Sequence, residues 1–418
     1  MRFFIFFLVL FLTPMEGKKG GQEKPRLSSI QIIDRNGFSE NITLKEKLEA
    51  FENVNFLSHQ PYKRVLRVYS PLQDGTIFSF LTTYYENGQI KQHLEIKNAR
   101  ALGLYQEWHQ NGKLKAKTRI VGGPPDLTPE AQRQWVFDGL ALAYDEEGGL
   151  IGKIPYKKGL MDGLAETFWS ADKPLSKTPF KNGLIDGDEL IYSKSGKFSE
   201  RHHYTDGILD GPSWTYWDDG KIATIEEYKK GLLIYGVSFS RDGNIVHFVH
   251  EGEGVRNYHV LGKLNQEQEI HEGVIRGKVT NFGDNEKAVS TLQVRDGGRH
   301  GLETILYPNG KPKMTIDWVE GKIKGKVISW YSNGVKESER EVVNNKKQGL
   351  SLAWYPTGDF LLIESYDSDK LDKGEYFKKG EKNPVSSVSS GSGIATLFDK
   401  DGLLKQKVTY ENGKPVSE

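Results

Sequence analysis

From about Thr83 onward, apolar and polar residues alternate in short runs, and glycine-containing turns separate the runs. Leu140, Leu142 and Tyr144 fall on one face of such a run, as do Leu350, Leu352 and Trp354. A period of two is the strand pattern. Many runs close on Asn-Gly, at Asn87-Gly88, Asn111-Gly112, Asn309-Gly310 and Asn333-Gly334. This dipeptide accepts positive φ at both central residues of a type I′ turn, so the pattern predicts β-hairpins turning at these points.

The hairpins recur. Their turn positions are Gly88, Gly112, Gly148, Asp172, Gly196, Gly220, Gly243, Gly262, Glu286, Gly310, Gly334, Gly358 and Gly402, and eight of the twelve gaps are 24 residues. The longest two gaps hold insertions, 122–134 and 380–392, polar and rich in Pro, Gly or Ser as loops are. Four residues before the turn position (−4) stands an aromatic in twelve of thirteen cases, including Trp108, Tyr144, Phe168, Tyr192, Tyr216, Trp330, Trp354 and Phe398. A second turn lies 11 residues on, as at Gly159, Gly183 and Gly207, and another glycine follows four residues later, as at Gly163, Gly187 and Gly211. The expected fold is all-β: about thirteen tandem 24-residue hairpins in an elongated antiparallel sheet, advancing ~10 Å per repeat. The −4 aromatics belong to its structural frame.

The segments "YKKGLMDGLAETFWSADK" (156–173), "FKNGLIDGDELIYSKSGK" (180–197) and "YTDGILDGPSWTYWDDGK" (204–221) resemble MORN-type repeats, in particular the bacterial YwqK-like variant. The resemblance runs from about Thr83 to the C-terminus. It implies arrays of antiparallel hairpins and a role in protein contacts, scaffolding or membrane association; some bacterial members are labelled antitoxins. The sequence departs from the pattern at 250–265, where the spacing contracts, and at Glu286, which stands where glycine is usual. The N-terminal stretch "LSSIQIIDRNGFSENI" (27–42) is similar to exported repeat proteins of chlamydia-like intracellular bacteria.

The chain opens with Arg2, an apolar run from Phe3 to Leu12, and a return to polarity. Ten apolar residues are too few to span a bilayer, which takes ~20, and they match a secretory signal peptide of residues 1–17, with Met15 and Gly17 at the −3 and −1 sites of cleavage. Export is the expectation. Residues 24–80 lack the period and read as a cap over the first exposed edge of the array. Within them 43–51 is expected to be a short helix, capped by Thr43 with Glu46 completing a capping box. Residues 81–418 are then the repeat domain.

Composition narrows the chemistry. Of 418 residues 57 are basic and 56 acidic, so no global field draws in nucleic acid. Cysteine is absent, which removes disulfides and thiolate metal sites. The runs "GVIRGKV" (273–279) and "GKIKGKV" (321–327) fall short of a phosphate-binding loop and lie in the repeat frame. His247 and His250 are three apart, hence on opposite faces of a strand, and "GPSWT" (211–215) is not a nucleophile elbow. No catalytic residue, metal or cofactor is expected. The candidate binding residues are the aromatics at −3, namely Tyr85, Trp169, Trp217, Tyr307, Tyr331 and Tyr355, which by alternation face away from the −4 side. The expected function is that of an exported, non-enzymatic scaffold for a protein partner. The alternatives are a membrane-lipid or envelope-glycan module using those aromatics, or an antitoxin-like or secreted effector role.

Overall fold

The computed structural model describes residues 25–170 and 172–416, so the expected signal peptide lies outside the described residues. The chain divides into two units, 1–148 and 149–418. From Arg64 onward antiparallel strands follow in sequence order within each unit, and each hairpin pairs with the next.

In the first unit Leu27–Ile33 pairs with Ser39–Ile42 on one side and with Arg64–Tyr69 on the other. Arg64–Tyr69 then pairs with Phe78–Tyr84, the first strand in the repeat frame. Helical structure is shorter than expected: an α-turn at Lys45–Leu48 continues as a 3-10 turn at Glu49–Phe51. Leu44, not Thr43, is the N-cap residue, and no side chain caps the helix. Leu48 is buried, in a core with Ile30, Ile42, Phe56 and Val65. The insertion 122–134 is more than a polar loop. Thr128 Oγ1 accepts from the Ala131 amide to start a short helix, Pro129–Gln132, and Leu127, with Trp135 just beyond, packs into the core beside Tyr105 and Ile120. In the second unit the insertion 380–392 likewise contributes a strand, Ser386–Ser389, and buries Val388.

The two turn types are the reverse of the expectation. At the Asn-Gly turns only the glycine has positive φ, 84° at Gly112 and 91° at Gly334. The Gly112 amide donates to His109 O and the His109 amide to Lys113 O. This is a type I turn closed by a left-handed residue in a bulge. A further bulge follows at the −4 aromatic: Glu107 faces Ala116 but Trp108 faces Leu114, and the same slip recurs at Tyr216, Trp330 and Trp354. The type I′ turns sit instead at the opposite edge, with both central residues at positive φ, as in Lys158-Gly159, Asn182-Gly183 and Asp206-Gly207. Asp172 and Glu286 keep the left-handed conformation of the glycines they replace, at φ 70° and 55°.

The glycine four residues past the I′ turn has a steric cause. Gly325 lies at φ 130°, and a Cβ there would stand 2.7 Å from the Cβ of Asp317 on the preceding strand. The space lets the Asp317 carboxylate accept from the Lys326 amide at 2.8 Å. Gly103 and Gly277 make the same room, for Glu95 to reach the Leu104 amide and for Glu269 to reach the Lys278 amide.

The buried face is also the reverse of the expectation. Leu164, Leu302 and Leu350, eight residues before their turn positions, are 51%, 51% and 55% exposed. The residues at −7 and −5 are the buried ones: Ser213 with Thr215, Val327 with Ser329. Hydroxyls pair across strands on that inner face, Thr167 with Ser176, Thr215 with Thr224, Ser329 with Ser338, at 2.7–2.8 Å. An inner face lined in part by hydroxyls needs fewer apolar residues, in keeping with a hydrophobic content of 37%.

Candidate functional site

Each type I turn is stitched to the next by its own side chains. His109 Nε2 hydrogen-bonds Tyr144 O at 3.0 Å, Asn111 Nδ2 donates to Glu146 O at 2.7 Å, and Lys113 Nζ donates to Glu147 O at 2.7 Å. Three positions of one turn thus satisfy three carbonyls of its successor, which would otherwise face solvent. The −3 aromatics act in this ladder. The hydroxyls of Tyr85, Tyr307 and Tyr331 donate to Trp108 O, Trp330 O and Trp354 O at 2.7–2.8 Å. Trp169 Nε1 donates to Tyr192 O, and Tyr355 donates to Phe377 O. Trp217 and Tyr355 are 4% and 0% exposed, so neither presents a ring face to a partner; the other four are half-buried.

The −4 aromatics divide: Tyr84 is buried in the core with Ile30 and Val65 and Trp108 packs against it, whereas Phe168, Tyr192, Tyr216 and Trp354 are half-buried. Tyr192, Phe198 and Tyr216 form a row with ring centroids 5.0 and 6.5 Å apart, and Trp354 stacks on Phe360 at 5.8 Å. Lys153 lies over Phe168 and Lys336 over Trp354. Along the I′ edge of the second unit, Leu160, Leu184 and Ile208 recur with the repeat at about half exposure, and each leans over the glycine of the next turn, Gly183, Gly207 and Gly231.

The second unit also holds a cleft of mixed apolar and polar lining on the inner face, and the departure at 250–265 creates it. Ile245–His250 meets the following strand only at Val249–Gly254 and His250–Glu253. The hairpin Glu253–Val260 with Lys263–His271 then folds back over residues 200–228. The Leu261 amide donates to Glu200 Oε1, the His259 ring meets Trp217 edge-on at 4.4 Å, and Arg256 reaches Glu226 and Tyr228. Backbone bonds seal the fold-back: Leu233 N donates to Gly273 O, Gly273 N to Gly252 O, and Gly252 N to Ile234 O. The same three-bond ring recurs at Leu371, Gly413, Gly391 and Asp372, beside the insertion 380–392.

The space, about half open to solvent, is about 980 Å³, with Leu209, Leu233 and Ile270 among its apolar lining and His202, Tyr258, Asn257, Gln266, Gln268 and Asn281 among its polar walls. An amide relay crosses it: Gln268 donates to Gln266, Gln266 to Asn281, and Asn281 to Ser290. Tyr228 OH donates to Glu226 at 2.9 Å, and Glu226 lies 3.4 Å from the Arg256 guanidinium. Burial, and then the Arg256 charge, hold His259 down to about 4, so it is neutral at pH 7. Burial pushes the Tyr204 hydroxyl up to about 12.

One contact set imitates a hydrolase. Ser213 Oγ is 2.7 Å from His202 Nδ1, and His202 Nε2 is 3.1 Å from Glu200. Ser213 is nonetheless buried within Ile208–Tyr216, a strand paired on both sides, so no substrate carbonyl reaches it and its strand's amides are committed to the ladder. It is one more cross-strand polar pair. Among the described residues no group of three or more His, Asp or Glu converges as metal ligands. His247 instead faces Glu267 at 3.0 Å.

Comparison with known proteins fits this geometry. Residues 81–98, 101–119 and 137–158 match the MORN repeat variant. Those three segments, all within residues 81–158, are similar to MORN-variant repeats. No curated protein matches it. Among solved structures it is similar to a TcdB2-TccC3-TEV crystal structure, with 13% identity and a TM-score of 0.18 over 92% of this chain and 21% of that one. It is also similar to the Tc holotoxin pore of Photorhabdus luminescens, with 12% identity and a TM-score of 0.19 over 90% and 21%. The chain spans about a fifth of the length of those chains, and superpositions this poor define no shared fold.

Proposed function

We propose that the chain is an exported, non-enzymatic MORN-variant protein, of the YwqK-like bacterial kind, that presents its outward sheet face to a partner protein. The observation that carries the reading is the apolar patch on that face: Tyr192, Phe198 and Tyr216 in one row of neighbouring rings, with Phe198 about half exposed, and Phe168 and the half-exposed Leu164 together on the strand Gly163–Ser170. Hydrogen-bonded sheet fixes the spacing of these groups, so a partner meets a preorganised surface. Export rests on the sequence of residues 1–17.

The test is affinity capture from the native organism with the mature chain as bait, beside a Leu164→Ser/Phe198→Ser variant of unchanged circular dichroism. A protein retained by the wild type and lost by the variant is expected. Equal retention by both baits, or none by either, overturns the reading.

A further inference from the structure

The outward face leaves the cavity at residues 202–299 unexplained. It is lined from the inner side of the sheet, and nothing in the reading above uses it. Its volume lies at the upper end of the ~300–1,000 Å³ typical of ligand sites, which suits a chain of small rings better than a single small metabolite.

Its chemistry selects further. The cations on its wall are matched: Arg256 by Glu226, and Arg299 by Glu303 at 3.0 Å. An anionic ligand would have to displace a carboxylate already in place. A wholly apolar ligand would strip water from Gln266, Gln268, Asn257 and Asn281, and polar groups buried without partners cost free energy. Gln268 Oε1, Asn257 Oδ1 and His259 Nε2 are already without protein partners. Side-chain amides both donate and accept, which suits vicinal hydroxyl groups. The Tyr204 and Tyr258 rings offer flat apolar surface of the kind the C–H face of a pyranose covers.

We propose that this cavity binds a neutral saccharide chain, its ring faces against the tyrosines and its hydroxyls on the amide relay. The glycan-binding alternative expected at the −3 aromatics is thereby relocated to the fold-back of 253–271. The site stands independently of the partner-protein surface.

The test uses the full mature chain with four neutral probes, cellohexaose, maltohexaose, laminarihexaose and chitohexaose, and hexagalacturonate as the charged counterpart. Calorimetry and saturation-transfer NMR are the readouts. At least one neutral probe is expected to bind one-to-one with a Kd of about 1 mM or tighter. Gln266→Ala and Tyr258→Ala should each weaken it about tenfold, and Leu164→Ser/Phe198→Ser should leave it unchanged. Should Tyr258→Ala fail to fold, Tyr258→Phe, which keeps the ring, is expected to bind as wild type while Gln266→Ala does not. No binding of any neutral probe at about 5 mM, tighter binding of hexagalacturonate, or binding indifferent to Gln266 overturns the proposal.

Discussion

His259 gives the sharpest quantitative test of the fold-back. Its side chain is fully buried, and burial with the nearby Arg256 charge holds its pKa at about 4 against a reference of 6.5. In the unfolded chain the ring takes up a proton near pH 6.5; in the folded chain it does so only near pH 4. Between those values the unfolded state binds more protons, so the stabilisation from a neutral buried ring is present above pH 6.5 and lost as pH falls toward 4. A depression of about 2.5 pH units corresponds to about 3 kcal/mol in all, of which about 2 kcal/mol is lost between pH 7 and pH 5. Urea unfolding of the wild type and of His259→Gln at pH 7, 6 and 5 measures this. The wild type should lose about 2 kcal/mol more than the variant over that range. Curves that stay parallel would refute the argument, because an exposed His259 would titrate alike in both states. His93 is a control in the other unit: burial, then Arg67, hold it at about 4, and His93→Gln should flatten the pH dependence of that unit instead.

Two further substitutions probe the repeat itself. Gly325→Ala places a Cβ 2.7 Å from the Asp317 Cβ at φ 130° and should cost about 1–3 kcal/mol in urea unfolding; pairing it with Asp317→Gly, which removes the opposing Cβ, should recover part of the loss, and strict additivity would refute the steric cause. Tyr331→Phe removes the hydroxyl that donates to Trp354 O at 2.8 Å and should cost about 1 kcal/mol, whereas no change in midpoint would deny the turn ladder a stabilising role.

The 24-residue frame, the hairpins and the place of every long insertion were legible in the sequence, because glycine spacing and aromatic spacing report backbone geometry directly. The faces were not. Alternation shows that two sides differ, but which side is covered depends on what lies across from it. Here the inner side is covered by cross-strand pairs such as Thr215–Thr224, and the leucines at −8 point outward. The turn types were misassigned because Asn-Gly serves both. Loop length was the available cue: five residues separate Tyr216 from Ile222, whereas two separate Lys181 from Leu184. The −3 aromatics were singled out for their ring faces, whereas it is their polar ends that bond the next turn at Tyr85, Tyr307 and Tyr331. The cavity was invisible because its walls come from stretches up to about a hundred residues apart; its only trace was the contracted spacing at 250–265.

That contraction and the glycine missing at 286 are one feature. The turn Leu261-Gly262 has only two residues, so its hairpin is too short to join the row of type I turns. It lies instead on the turn at Trp217 and Asp218, where a Cβ on Gly262 would stand 2.7 Å from the Asp218 amide nitrogen. The row must therefore pass from the turn at 241 to the turn at 286 without it. Arg241 makes that passage: its guanidinium pairs with Asp218 at 2.5 Å and Glu286 at 2.6 Å while stacking on Trp217 at 4.4 Å. The hydrogen bonds to Glu286 and Asp218 push its pKa up, so the clamp stays charged throughout the accessible pH range. A glycine at 286 would relieve the left-handed strain but leave half of the guanidinium without a partner. The carboxylate at φ 55° thus ties its turn, through Arg241, to the turn at Asp218 on which the fold-back lies.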